Sequence, residues 1–195
     1  ISSKLPVIAI IDTGIDIDHP GINIDYISDL SCNISTGEVV RNKGISVIDG
    51  INVTIDSCHL KNTYGNPGAG IDIESNLSLE EYYATRSINI TNCYTECNVK
   101  GILITPQHHT DQVSITVSHH TSVSDGIGLM FNRVGNGGGE HPTAKGTITV
   151  KDFAIINPRY NGIGLYNMFA SDIVIGISNI YIKNVGSAGS SINRQ

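Results

Sequence analysis

Asp72 and Glu74 are the first residues whose type and spacing could do chemistry. They sit in Gly70-Ile71-Asp72-Ile73-Glu74, where the apolar residues alternate with the acids. On a strand this pattern turns Ile71 and Ile73 one way and both carboxylates the other, with Cα atoms ~6.5–7 Å apart. Two carboxyl groups on one face suit glycoside hydrolysis, one as protonated acid and one as ionised base or nucleophile. Their mutual repulsion supplies the pKa split, because like charges resist joint ionisation. Gly14-Ile15-Asp16-Ile17-Asp18 repeats the pattern, so Asp16 and Asp18 join the catalytic candidates. The plainer reading of all four is solvated acids on an outer strand face, or turn caps.

A lyase needs other parts: a base for the proton α to a uronate carboxyl, and a cation to neutralise that carboxylate. Lys100, Arg133, Arg159 and Tyr160 are the candidates, on different segments that the sequence does not converge. Saccharides also need aromatic platforms. Tyr64, Tyr82 and Tyr83 flank the Asp72–Glu74 segment, so the expected substrate-binding set is Tyr64, Tyr82, Tyr83, Arg133, Arg159 and Tyr160. Adjacent His108 and His109 point to opposite faces of a strand, as do His119 and His120, so neither pair chelates one metal. Asp72 and Glu74 are hard ligands, but no Asp-rich calcium loop is present. No metal and no cofactor are expected.

The elements that must position these groups follow from a repeat. Gly followed by apolar alternation recurs at Gly14, Gly44, Gly70, Gly101, Gly126 and Gly162, 25 to 36 residues apart. A second short alternating run precedes most of them: Val53-Thr54-Ile55, Ile88-Asn89-Ile90, Val113-Ser114-Ile115, Ile148-Thr149-Val150 and Ile180-Tyr181-Ile182. Period-2 alternation over three to five residues reads as a half-buried strand. Nothing sustains a 3.6-residue period. Strands this short, repeating this often, predict an all-β, right-handed single-stranded parallel β-helix. Residues 1–195 are read as one such domain of about six rungs, with a frayed tail over 186–195. Ile55-Asp56-Ser57-Cys58 aligns with Ile90-Thr91-Asn92-Cys93, which stacks Cys58 on Cys93, and Ser118 and Phe153 fall near the same place. That stack admits a disulfide by spacing; reduced thiols are the expectation. The remaining cysteines, Cys32 and Cys97, complete no zinc pattern.

The bulk composition agrees. The 195 residues include 21 Gly, three Phe and no Trp, with the apolar share carried by Ile and Val, which suit strands. The net charge of −6 argues against nucleic acid and anionic membranes as partners. No apolar run is long enough to span a bilayer, and none reads as a leader. Ile1 opens the chain within what reads as folded sequence, as expected of a fragment or processed piece.

Residues 51–76 carry a resemblance. Ile51-Asn52-Val53-Thr54-Ile55, Cys58, Asn62, a Gly-rich link and Gly70-Ile71-Asp72-Ile73-Glu74 resemble the pectate-lyase-like β-helix superfamily, in particular bacteriophage tailspikes and appendages. The looser pattern spans roughly 44–185. The resemblance implies a depolymerase that binds and cleaves a bacterial surface polysaccharide by hydrolysis or lysis, a homotrimer, and a virion or extracellular location. The alternative is a non-enzymatic shaft or adhesin. Val7-Ile8-Ala9-Ile10-Ile11-Asp12-Thr13-Gly14 with His19-Pro20 is similar instead to the aspartate segment of subtilisin-like proteases. The chain lacks that family's histidine and serine motifs, since His108-His109-Thr110 has no glycine and Gly146-Thr147 runs into Ile148.

Overall fold

The computed structural model describes residues 30–32, 44–48, 50–63, 67–74, 85–106, 113–134, 145–169, 171–186 and 192–194. Among them every regular element is a strand. In chain order these are β1 (Leu30–Cys32), β2 (Ile45–Ile48), β3 (Val53–Asp56), β4 (His59–Lys61), β5 (Ala69–Glu74), β6 (Ile88–Thr91) and β7 (Tyr94–Glu96). They continue as β8 (Lys100–Thr105), β9 (Val113–Val123), β10 (Ile127–Asn132), β11 (Lys145–Ile156), β12 (Asn161–Tyr166), β13 (Asp172–Lys183) and β14 (Ile192–Arg194).

The strands stack into two parallel sheets. Sheet I runs β1-β3-β6-β9-β11-β13, with β4 and β7 beside it; sheet II runs β2-β5-β8-β10-β12-β14. The chain alternates between them, so the fold is a parallel β-helix of about four turns. The α/β alternation a subtilisin-like protease requires does not occur among the described residues, and the Asp12 segment lies outside them. The first expected rung, at Gly14, also lies outside. β14 pairs with β12, inside the segment read as a tail.

The sequence alternation survives as burial. Val53, Ile55, Ile88, Ile90, Ile148 and Val150 of sheet I, and Ile71, Ile73, Ile102, Ile104, Leu129 and Phe131 of sheet II, are all fully enclosed. Each core residue is covered by its counterpart one rung away, as in Ile71↔Ile102 and Ile73↔Ile104. β-branched side chains fill such columns well, because their restricted χ1 matches one fixed environment repeated along the stack.

Left-handed residues make the bends, between strands in most rungs and, at His119, Asp152 and Asn179, within the long strands β9, β11 and β13. One column comprises Ser57, Asn92, His119, Asp152 and Asn179; a second comprises Asn62, Cys97, Ser124, Asn157 and Asn184; all have φ between 49° and 59°. Asn and Asp tolerate this region best among residues with a side chain. Rung-to-rung bonding continues through the bend: Asn62, Cys97, Ser124 and Asn157 donate their N–H groups to Glu96, Val123, Ile156 and Lys183 at 2.8–3.1 Å. The side chains form ladders as well, with Asn184 Nδ2 donating to Asn157 Oδ1 at 2.9 Å.

Two alignments need correction. The register Lys100↔Ile127 puts Gly128, not Gly126, in the column with Gly44, Gly70, Gly101 and Gly162. The slip is two residues, which preserves the facing and hides it from the alternation. Likewise Phe153↔His120 puts His120, not Ser118, above Cys93 in the column Cys58–Cys93–His120–Phe153. Cys58 and Cys93 do stack in the core, and both are thiols rather than a disulfide.

Candidate functional site

Sheet II carries the expected catalytic pair. Ser46↔Asp72↔Leu103 and Ile48↔Glu74↔Thr105 are the outward rows, so Asp72 and Glu74 do share a side. That side is covered. Asp72 has 0% exposure, Leu103 6% and Thr105 5%, while Glu74 is partly exposed. The alternation therefore assigned the side correctly, and the inference that both acids face solvent fails for Asp72. Burial lowers the basicity of Lys100, and the Asp72 carboxylate acts against that effect. Lys100 Nζ donates to Pro67 O. Asp72 is thus enclosed, and Glu74, partly exposed, is the more accessible of the two acids.

Arg133, Arg159 and Tyr160 do not converge. Arg133 follows β10, with φ 51° and its N–H on Tyr166 O at 3.1 Å. Arg159 and Tyr160 precede β12, at the other end of sheet II. Six strand residues separate the two ends, ~20 Å. Arg159 is held by the scaffold, since its Nη2 donates to Asn98 O at 2.6 Å. Tyr160 is 55% exposed. Asp16, Asp18, Tyr64, Tyr82 and Tyr83 lie outside the described residues. His119 is exposed and His120 enclosed. They do face opposite ways, but the left-handed backbone at His119 (φ 51°) shifts the alternation set by Val113, Ile115 and Val117, so that His120 is the inward residue.

A buried polar corner has no counterpart in the sequence reading. Thr63, Asn98 and Asp125 occupy the same level on successive rungs, each with 0% exposure. The Thr63 N–H donates to Asn98 Oδ1 at 2.8 Å, and the Asn98 N–H donates to Asp125 Oδ1 at 2.7 Å. The next residue at this level is Pro158, whose side chain carries no acceptor, so the ladder of side-chain acceptors ends at Asp125. Asp125 also accepts from Thr95 Oγ1 and Ser122 Oγ, both at 2.7 Å, and from Asn98 Nδ2 at 3.0 Å. Burial raises the affinity of Asp125 for a proton, and these four donors oppose it. Because the Thr95 hydroxyl donates to Asp125, it accepts from His120 Nε2 at 3.1 Å. That leaves His120 Nδ1 the bare nitrogen, without a hydrogen bond. Enclosure pushes the His120 pKa down to about 3. This corner also explains Gly101: a Cβ there would come within 2.7 Å of Asp125 Oδ2 and 2.8 Å of Thr95 Oγ1.

The open site lies on sheet I. Its outward rows are Thr54↔Asn89↔Thr116↔Thr149 and Asp56↔Thr91↔Ser118↔Lys151, an array of hydroxyl and amide groups. At the leading end of these strands is an open cleft of about 530 Å³ lined by Arg86, Ser114, Lys145, Thr147 and Asp172, among others. Arg86, Lys145 and Asp172 are exposed. Gly146 brings the backbone against the neighbouring rung with φ +135°, and a Cβ there would strike Val113 O at 2.0 Å. Two cations therefore line one cleft beside Ser114 and Thr147, together with the Asp172 carboxylate, which is in register with Lys145. Sequence reasoning sought a converging cation set and missed Arg86 and Lys145, because 59 residues (145 − 86) separate them and only the rung register joins them.

Among the described residues no group of three or more His, Cys, Asp or Glu side chains could hold a metal, and no helix is long and apolar enough to cross a membrane. The chain matches no protein-family model, no curated protein and no solved structure.

Proposed function

We propose that this β-helix binds an acidic polysaccharide along sheet I, as a carbohydrate-active solenoid of the tailspike type would. The observation that carries the reading is the cleft lined by both Arg86 and Lys145 at the head of outward rows of mainly hydroxyl and amide groups, of which Asn89 and Thr149 are exposed. Rungs ~4.8 Å apart make a rigid surface whose groups can exchange hydrogen bonds with sugar hydroxyls at little ordering cost. Arg86 and Lys145 supply the charge that pairs with a uronate carboxylate. Cleavage is the second part of the proposal. Lysis would use the same cations as the carboxylate-neutralising groups; hydrolysis with Glu74 as acid would instead require the glycan to reach sheet II, where Glu74 lies.

The test is binding of the 195-residue chain to polygalacturonate and alginate, with dextran as neutral control. The expected result is salt-weakened binding to the acidic glycans, reduced at least about tenfold in the Arg86→Ala/Lys145→Ala double variant. Equal binding to dextran, or unchanged binding by the double variant, sinks the acidic-glycan reading. Release of oligosaccharide would establish a depolymerase, with ultraviolet-absorbing ends identifying a lyase; saturated products lost in Glu74→Gln would place the cleaved glycan on sheet II rather than in the Arg86–Lys145 cleft.

One observation favours a structural shaft. β13 ends sheet I with Ile177 42% exposed, at a position whose counterpart Val150 is enclosed one rung earlier. Such an edge suits a further stacked rung. No binding across an acidic and neutral glycan panel would leave this reading in place of the first.

A further inference from the structure

We propose that Cys58 and Cys93 form a redox-closable pair, joined by a low-molecular-weight disulfide oxidant into one covalent staple between successive rungs.

The register is fixed on both sides of the pair, by Asp56↔Thr91 before it and His59↔Tyr94 after it, and the Tyr94 N–H donates to Cys58 O at 2.7 Å. In-register neighbours on parallel strands lie ~4.8 Å apart, inside the range of about 4.4–6.8 Å that a disulfide spans between Cα atoms. Both side chains point into the core, with 1% and 2% exposure. Cys93 Sγ reaches across the rung boundary to Ile55 O at 3.6 Å, on the strand that leads to Cys58. The two thiols are in hydrogen-bonding contact, and that contact, with burial, holds the Cys93 thiol protonated far above the usual range.

The chemistry balances as thiol–disulfide exchange. One cysteine thiolate attacks the oxidant's S–S bond, giving a mixed disulfide and releasing one small thiol. The second cysteine thiolate then displaces the other small thiol and forms Cys58 Sγ–Sγ Cys93. The cysteines lose two electrons to the oxidant, and their two protons leave on the two released thiols. Attack requires a thiolate and access, both of which the folded core withholds. Closure therefore occurs while the rung is open, during folding or local unfolding, and is slow in the intact solenoid.

The product closes a loop of 35 residues (93 − 58) that includes the rung carrying Asp72 and Glu74. Constraining a loop of that size in the unfolded chain should raise Tm by about 5–10 °C.

The experiment refolds the full 195-residue chain with oxidised and reduced glutathione. Intact mass should fall by two hydrogens, and tryptic mapping should join peptide 44–61 to peptide 87–100. Because Cys97 shares the second peptide, mapping is repeated in Cys97→Ser, a substitution that gives position 97 the residue found at Ser124 in the same turn column. The link and the Tm rise should persist there, vanish with reductant, and be absent in Cys58→Ser and Cys93→Ser. A link through Cys97, Cys32 or a second chain would overturn the proposal. So would four thiols still titratable after oxidative refolding, where the proposal leaves two, Cys32 and Cys97, or an oxidised chain no more stable than the reduced one.

Discussion

The interior of this solenoid has two kinds of column, and they are built on opposite principles. The Ile and Val columns of both sheets are dry: each side chain is covered by an equivalent one, and the only requirement is volume. The corner at Thr95, Asn98, His120, Ser122 and Asp125 is equally buried but polar, and each group there depends on a particular partner. The difference teaches where stability is concentrated. A dry column averages over many equivalent contacts, while a polar corner fails as a unit when one member is lost, because a buried polar atom without its partner retains its full desolvation cost.

Acid should break the comparison most strongly. His120 is held neutral with a pKa of about 3 against an ordinary 6.5, so the unfolded chain takes up a proton before the folded one does. Its contribution is complete above pH 6.5 and declines as pH falls from 6.5 towards 3, by about 1.4 kcal/mol per unit and about 5 kcal/mol across the window. Asp125 acts with opposite sign: its folded pKa is raised, so between its ordinary 3.8 and that higher value falling pH favours the fold. The groups facing His120 are the Thr95 hydroxyl and the Phe153 ring at 4.7 Å, neither of which titrates in this range. Urea unfolding at a series of pH values from neutral down to about 4 should show the decline, and His120→Leu should flatten it. Equal slopes for both proteins would refute the assignment.

Asp125→Ala comes next. It strips the acceptor from Thr95, Ser122 and the Asn98 backbone and side chain at once, and should cost about 4 kcal/mol. Ile90→Ala, a cavity in the dry column, should cost about 3 kcal/mol. Denaturant midpoints measure both. If Ile90→Ala proves the more damaging by a wide margin, stability is not concentrated in the polar corner.

The dry columns were legible in the sequence and the polar corner was not, for a physical reason. Alternation such as Ile71-Asp72-Ile73 is local, so one segment reveals which residues face inward. Partners such as Thr95 and Asp125 are adjacent only after the rungs are stacked, and nothing near either announces the other. Gly126-Ile127-Gly128 offered two registers that alternation cannot tell apart, and only the stacked strands, with Ile127 opposite Lys100, distinguish them. Asp72 shows a further limit: periodicity gives the side of a sheet, not what covers it. The turn columns were within reach, since Ser57, Asn92, Asp152 and Asn179 each follow an apolar alternation; His119 and Cys97 obscured the pattern by placing unexpected residues in left-handed positions.

Those turn columns carry the smallest predicted effect and bear on the comparison from outside the core. Asn157 has φ 53° and receives the Asn184 amide on its side-chain oxygen. Asn157→Gly keeps the backbone conformation and loses only an exposed side-chain bond, so stability should change by less than about 0.5 kcal/mol. Asn157→Val forces a β-branched residue into the left-handed region and should cost about 1–2 kcal/mol. The distinction between the two variants separates backbone strain from the side-chain ladder: if glycine proves as damaging as valine, the Asn157–Asn184 bond rather than the conformation holds the turn. Thermal unfolding of the two variants beside the parent chain decides it, since a difference of about 1 kcal/mol moves Tm by about 2–4 °C in a chain of this length.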